Sequence, residues 1–347
     1  MAYITFQPHD YFNTVLWSGN GSAGRDITGV GFQPDWVWVK NRSRSSNHTI
    51  VDVLRGSGSY PMSSTNNGVQ DTSDTNQVSA LISDGFTVGS STNTNASSEN
   101  LVGWSWRAGG SGSSNTDGSI NTTATSVNTT AGFSICKWTG TGANATIGHG
   151  LGAVPKMYIV KNVDTTNDWN VYHHNIGNTH RLFLNTTAAK EDNASAWNDT
   201  SPTSSVFSVG TNTNVNQNGD TMIAYVFAEK NGFSKFGKYV GNGNADGQFI
   251  YTGFKPAWLM LKQTGTQGWF LVDNKRANPF NPIDGSLHPN SNAAEDTSSD
   301  FFVDFLANGF KLRDSDAQLN GNNNDYIYAA FAAEPLVSSN NIPATAR

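Results

Sequence analysis

Apolar residues in this chain fall in short runs, and three of them share one pattern. The clearest is Trp36, Val37, Trp38, Val39, where large and small apolar side chains alternate. Successive side chains of a strand point to opposite faces. A run that is apolar at every position therefore predicts a central strand covered on both sides. Met157 to Val160 and Trp258 to Leu261 repeat it. Each run is preceded by a proline (Pro34, Pro155, Pro256), which suits the start of a strand because proline cannot donate to a ladder. Each closes on a lysine, Lys40, Lys161 or Lys262.

The surroundings repeat as well. An aromatic (Trp17, Trp138, Tyr239) lies 17 residues before the proline in all three copies, and the lysine lies 6 after it. A Gly-x-Gly turn follows each aromatic: Gly19 and Gly21, Gly140 and Gly142, Gly241 and Gly243. Phe86 precedes Trp106 by 20 residues, Phe207 precedes Phe227 by 20, and Phe310 precedes Phe331 by 21. Successive prolines lie 121 and 101 residues apart, a period too long for a solenoid and of domain size. The pattern predicts an all-β chain of three tandem homologous β-sandwich, jelly-roll-like domains: 1–108, 132–231 and 232–336. A Gly/Ser/Thr-rich connector over 109–131 reads as flexible, with a polar strand within 119–130, and 337–347 reads as an irregular tail. The only helical hints are at Asn185, read as a helix cap, and at 290–295.

Composition sharpens the fold class. Charged residues are 14% of the 347, so Asn, Ser, Thr and Gly supply the polarity, a mixture that favours turns over helix interiors. The ten Trp, ten Tyr and 19 Phe favour strands. Net charge is −6 without charged blocks, which argues against a nucleic-acid partner. The longest apolar runs are too short to insert in a membrane as a helix, and the start has no secretory-signal pattern. The single Cys136 excludes an intrachain disulfide and reads as a small buried core residue in a chain folded in a reducing cytosol.

Candidate chemistry is sparse. The Gly-x-Gly turns lead into strands, not helices, so they are not phosphate loops. His173 and His174 are strand neighbours that point to opposite faces, and no metal site is expected from them. Asp52 and Asp273 recur at one strand position, each three residues before an arginine (Arg55, Arg276), and structural pairing is expected. The repeated lysines read as charges capping strand ends. No catalytic, cofactor or metal residue is expected, and the chain does not read as an enzyme. Most tryptophans read as core, while Trp197 and Trp269, with polar neighbours, are the candidates for exposed surface contact.

The stretch from Phe32 through Pro34 and Lys40 to Arg42, Asp84-Gly85-Phe86, and Gly103-Trp104-Ser105-Trp106 resemble a domain common in virion structural proteins of tailed bacteriophages, many from cyanobacterial and marine hosts. Phe133 and its neighbours, Gly148-His149-Gly150 and the segment from Glu229 to Phe236 are similar to the same chains. The resemblance implies a tail-fibre or other tail-associated virion component, made in the host bacterial cytoplasm, that contributes to assembly and host-surface attachment. Its partners would be other virion proteins, a homo-oligomer with a trimer favoured, and a host-surface glycan. The alternatives are a capsid decoration or head-fibre protein without receptor role, and a carbohydrate-binding module or polysaccharide-degrading enzyme.

Overall fold

The computed structural model describes residues 7–62, 76–276, 280–298, 301–332 and 334, with side chains undescribed over 57–62. It is built almost wholly of antiparallel strands. Three units carry the same inner sheet in the same register. In the first, an opening strand Phe12–Ser18 pairs with a closing strand Asn100–Trp106. The closing strand pairs with the central strand Trp36–Asn41, and that with a third strand, His48–Asp52. The second unit uses Phe133–Thr139, Thr221–Phe227, Met157–Asn162 and Asn170–His173 in the same order. The third uses Ser234–Val240, Asp325–Phe331, Trp258–Gln263 and Trp269–Asp273. Trp36 opposite Trp106, Met157 opposite Phe227 and Trp258 opposite Phe331 mark equivalent rungs.

A smaller outer sheet packs on each inner one. Its members are Arg25–Thr28, Gly85–Val88 and Val78–Ile82 in the first unit, and Ala145–Gly148 with Val206–Val209 in the second. The third unit has Phe249–Tyr251, Gly309–Leu312 and Val303–Leu306. Between the two sheets lies a private core in each unit. Val37 and Val39 point into the first, Tyr158 and Val160 into the second, Leu259 and Leu261 into the third.

The other face of each central strand meets the other units. Trp36, Trp38, Met157, Ile159, Trp258 and Met260 belong to a single cluster shared by all three inner sheets. Phe12, Trp106, Trp258 and Phe331 pack there with centroids 4.9 to 6.5 Å apart. The two-sided apolar pattern thus has one face for the unit's own sandwich and one for the junction of the three. A void of about 10 Å³ remains at that junction, lined only by apolar groups. Its apolar lining offers an ordered water no hydrogen-bond partners.

The Gly-x-Gly turns have a specific cause. A Cβ at Gly19, Gly140 or Gly241 would collide with the carbonyl of Ala96, Gln217 or Gly321. The second glycines, Gly21, Gly142 and Gly243, have φ of 71, 69 and 64°, where a side chain is disfavoured. In each unit one buried asparagine ties the turn down. Asn95 donates to Asn20 Oδ1, Ser22 O and Gly89 O at 2.8 to 2.9 Å. Asn216 donates to Ala143 O and Gly210 O, and Asn320 to Asn242 Oδ1, Asn244 O and Asp314 O.

Three expectations are corrected. The Gly/Ser/Thr-rich stretch 109–131 is laid against the second unit rather than free. Ala124–Asn128 joins its inner sheet, Ser113 bridges Thr125, and Ile120 bridges Ile147. Its glycines serve close approach, since a Cβ at Gly109, Gly112 or Gly118 would strike the backbone of Val127, Thr125 or Thr146. No helix starts at Asn185, whose side chain accepts from Trp169 N–H and donates to Asp168 instead of capping. Residues 290–295 are likewise not helical, and the short α-helices among the described residues are Thr92–Asn95, Ala194–Trp197 and Thr213–Asn216. The tail expected over 337–347 lies outside the described residues.

Candidate functional site

One set of equivalent polar residues meets at the seams between units. The end of each third strand holds one of them: Asp52, His173 or Asp273, opposite Trp36, Met157 and Trp258. Each reaches the next unit in cyclic order. Tyr225 of the second unit donates its hydroxyl to Asp52 at 2.8 Å. His173 Nε2 lies 3.2 Å from Tyr328 O of the third. Trp104 of the first donates its indole N–H to Asp273 at 2.8 Å. All three acidic or imidazole groups are buried.

The two aspartates are neutralised locally. Asp52 pairs with Arg55 and Asp273 with Arg276, three residues on, as the spacing suggests. Arg276 also pairs with Glu295 at 2.6 Å, and Glu295 reaches Arg42 of the first unit at 2.7 Å. This two-arginine clamp is largely withdrawn from solvent, with Arg276 buried and Arg42 and Glu295 half-buried, and it spans a seam. His173 has no such partner. Burial pushes its pKa down to about 3, so it is a neutral imidazole whose Nε2–H donates to Tyr328 O. His48 is also held well below the ordinary range by burial, accepting from Trp38 Nε1 at 2.8 Å.

The repeated lysines are buried, not exposed strand-end charges. Lys40, Lys161 and Lys262 each donate to the next residue's carbonyl (Asn41, Asn162, Gln263) at 2.5 to 2.6 Å. Each also donates to a carbonyl of the following loop, Arg44, Thr165 or Gly265. Burial lowers their pKa values to about 8, 7 and 8. The ammonium caps the backbone carbonyls of a sharp return that local sequence does not display.

Trp197 and Trp269, expected to be exposed, are both buried, at 0% and 1%. Trp197 packs on Tyr158 at 5.0 Å in the private core of the second unit and donates to His180 O. Trp269 lies in the shared core and donates across a seam to Phe183 O at 2.8 Å. Neither is available for surface contact. Cys136 is buried, and burial pushes its thiol up to about 12. Among the described residues no group of three or more His, Cys, Asp or Glu is placed to hold a metal, and no helix is long and apolar enough to cross a membrane.

The buried asparagines were missed by sequence reasoning, although a signal exists. Asn95, Asn216 and Asn320 each stand nine residues before a closing-strand rung, at Trp104, Tyr225 and Ala329. The seams were invisible, because their donors and acceptors come from positions 86 to 253 residues apart.

The chain belongs to the family described as domain of unknown function DUF7483, whose model matches residues 7–335. One family model thus covers all three units together. No curated protein and no solved structure matches the chain.

Proposed function

We propose that the chain is a non-enzymatic structural component of a tailed-phage particle, exposed on its surface and contributing to assembly and host-surface attachment. One observation carries this reading: in each unit the repeated reactive side chains are engaged within the scaffold. The three lysines bond to their own loops, and the two aspartates and the histidine at the equivalent rung bond across seams. A repeated site that served catalysis would leave such groups facing a cleft. What faces solvent instead is an Asn, Ser, Thr and Gly-rich loop surface, which suits many weak hydrogen bonds to protein or glycan. The sequence resemblance to phage virion proteins supplies the context.

The test is immunogold labelling of intact particles with antibodies to the purified chain. Label at the tail, lost from particles that lack the chain, is expected. Label confined to the capsid surface would favour a decoration protein without receptor role. Particles labelled only after disruption, or clean turnover of a host polysaccharide by the purified chain, would overturn the reading.

A further inference from the structure

The outer sheets of the three units end differently. In the second unit the outward edge of Ala145–Gly148 is taken by the chain itself. Ile120 N–H donates to Thr146 O at 3.1 Å, and Ser119 N–H to Thr146 Oγ1 at 2.9 Å. That covering segment comes from the long stretch joining the first unit to the second. The second and third units are joined by residues 228–233 alone, a reach of about 20 Å at full extension. Those residues form a tight turn, with Ser234 N–H donating to Lys230 O at 2.9 Å. No comparable segment is delivered from that junction to the third unit.

Its end strand, Phe249–Tyr251, pairs with Gly309–Leu312 on one side and is last in the order of its sheet. Ile27 opposite Phe86, Ile147 opposite Phe207 and Ile250 opposite Phe310 are equivalent rungs. Phe249 and Tyr251 therefore stand where the first unit has Asp26 and Thr28 and the second has Thr146 and Gly148. They are 44% and 63% exposed, while Ile250 between them is buried. The backbone orientation is also fixed. Ile250 O faces the neighbouring strand, since a Cβ at Gly309 would collide with it, and Thr252 N–H donates inward to Asn308 O. The backbone polar groups of Phe249 and Tyr251 therefore point away from the sheet, as Thr146 O does in the second unit.

We propose that this edge docks against the same edge of a second copy of the chain, the two strands pairing antiparallel about a twofold axis through Ile250. The edge is complementary to itself. The axis places Phe249 of one copy opposite Tyr251 of the other, twice over. The outward backbone groups of both residues then form two hydrogen-bonded pairs, and each pair carries an aromatic–aromatic contact on the solvent face. The same operation on the first unit would set Asp26 against Thr28, with no apolar contact, and on the second it is blocked by Ser119 and Ile120. Exposed flat edges are otherwise blunted by charge or covered, and among the described residues this one carries neither device at its two outward positions.

Three residues a side make a small interface, so a dissociation constant of ~100 µM is expected, weak alone and effective among copies held close on a particle. Sedimentation equilibrium of the full chain from ~1 to ~500 µM brackets that constant and should show a monomer passing to a dimer. The double variant Phe249→Asp, Tyr251→Thr carries the residues of the first unit at exposed positions, so it should fold and remain monomeric over the same range. Amide exchange at high concentration should slow at Phe249 and Tyr251 in the native chain and not in the variant. A chain that stays monomeric throughout, one that forms trimers, or a dimer that survives the double substitution overturns the proposal.

Discussion

Asn216 bonds to two loop carbonyls from a site with no access to water, and its carbonyl accepts from Thr141 N–H. Removing it strands several buried groups at once. Asn216→Ala should therefore cost about 2–4 kcal/mol in urea unfolding, and Asn95→Ala should cost a similar amount. Gly140→Ala should also destabilise, because its Cβ meets fixed backbone and not a mobile side chain. His173 sets a pH dependence whose sign follows from its state. Its folded pKa, about 3, lies below the unfolded value near 6.5, so the unfolded chain binds more protons between them. Its contribution is fully present above pH 6.5 and is lost as pH falls through that window, by at most about 1.4 kcal/mol per pH unit. His173→Gln keeps a donor for Tyr328 O without a titrating group. Its stability should fall less than that of the native chain between pH 7 and 4.5, and an equal fall would remove His173 as the cause. The sequence showed the Gly-x-Gly turns as turns, but not that the first glycine admits a passing carbonyl. The asparagine that answers it was hidden among many others in an Asn-rich segment.

At the level of strands, the alternation of the central runs was legible and so was its meaning, coverage on both faces. What covered each face was not. Val39 and Trp38 are adjacent and both apolar, yet one belongs to its own sandwich and the other to the junction of three units. Nothing local separates those fates. Trp197 and Trp269 were misread for a related reason, since polar neighbours in sequence describe the loop and not what folds over it. The lysines were misread because a strand-end cation normally stays solvated, whereas here the following loop returns its carbonyls to the ammonium. Truncation distinguishes the two faces. Leu261→Ala in the private core should cost about 2–4 kcal/mol in chemical denaturation. Ile159→Ala in the shared core should cost as much, and it should also lower the stability reported by probes in the other two units. An effect confined to the second unit would mean that the seams carry little energy.

Three units that shared a fold but not a core would behave as beads, and each would unfold at its own temperature. The packing here argues for the opposite. Every inner sheet contributes its tryptophan, methionine or phenylalanine face to one cluster shared by all three. The seams are then closed in a ring: Tyr225 to Asp52, His173 to Tyr328, and Trp104 to Asp273. Removing one unit would expose the apolar faces of the remaining two and take from Asp52, His173 or Asp273 its hydrogen-bond partner across the seam, which is destabilising. The single family model spanning 7–335 fits a unit of this size. We expect calorimetry to give one transition whose van't Hoff and calorimetric enthalpies agree. A fragment ending at Glu229, which lacks the third unit, should lose more than about 10 °C in melting temperature or fail to stay soluble, since several large side chains leave the common core together. Restoring the missing piece in trans as residues 230–347 should recover cooperative unfolding if the seams are specific. Three resolved transitions in the full chain, or a fragment as stable as the whole, would show that the units are independent domains that merely touch.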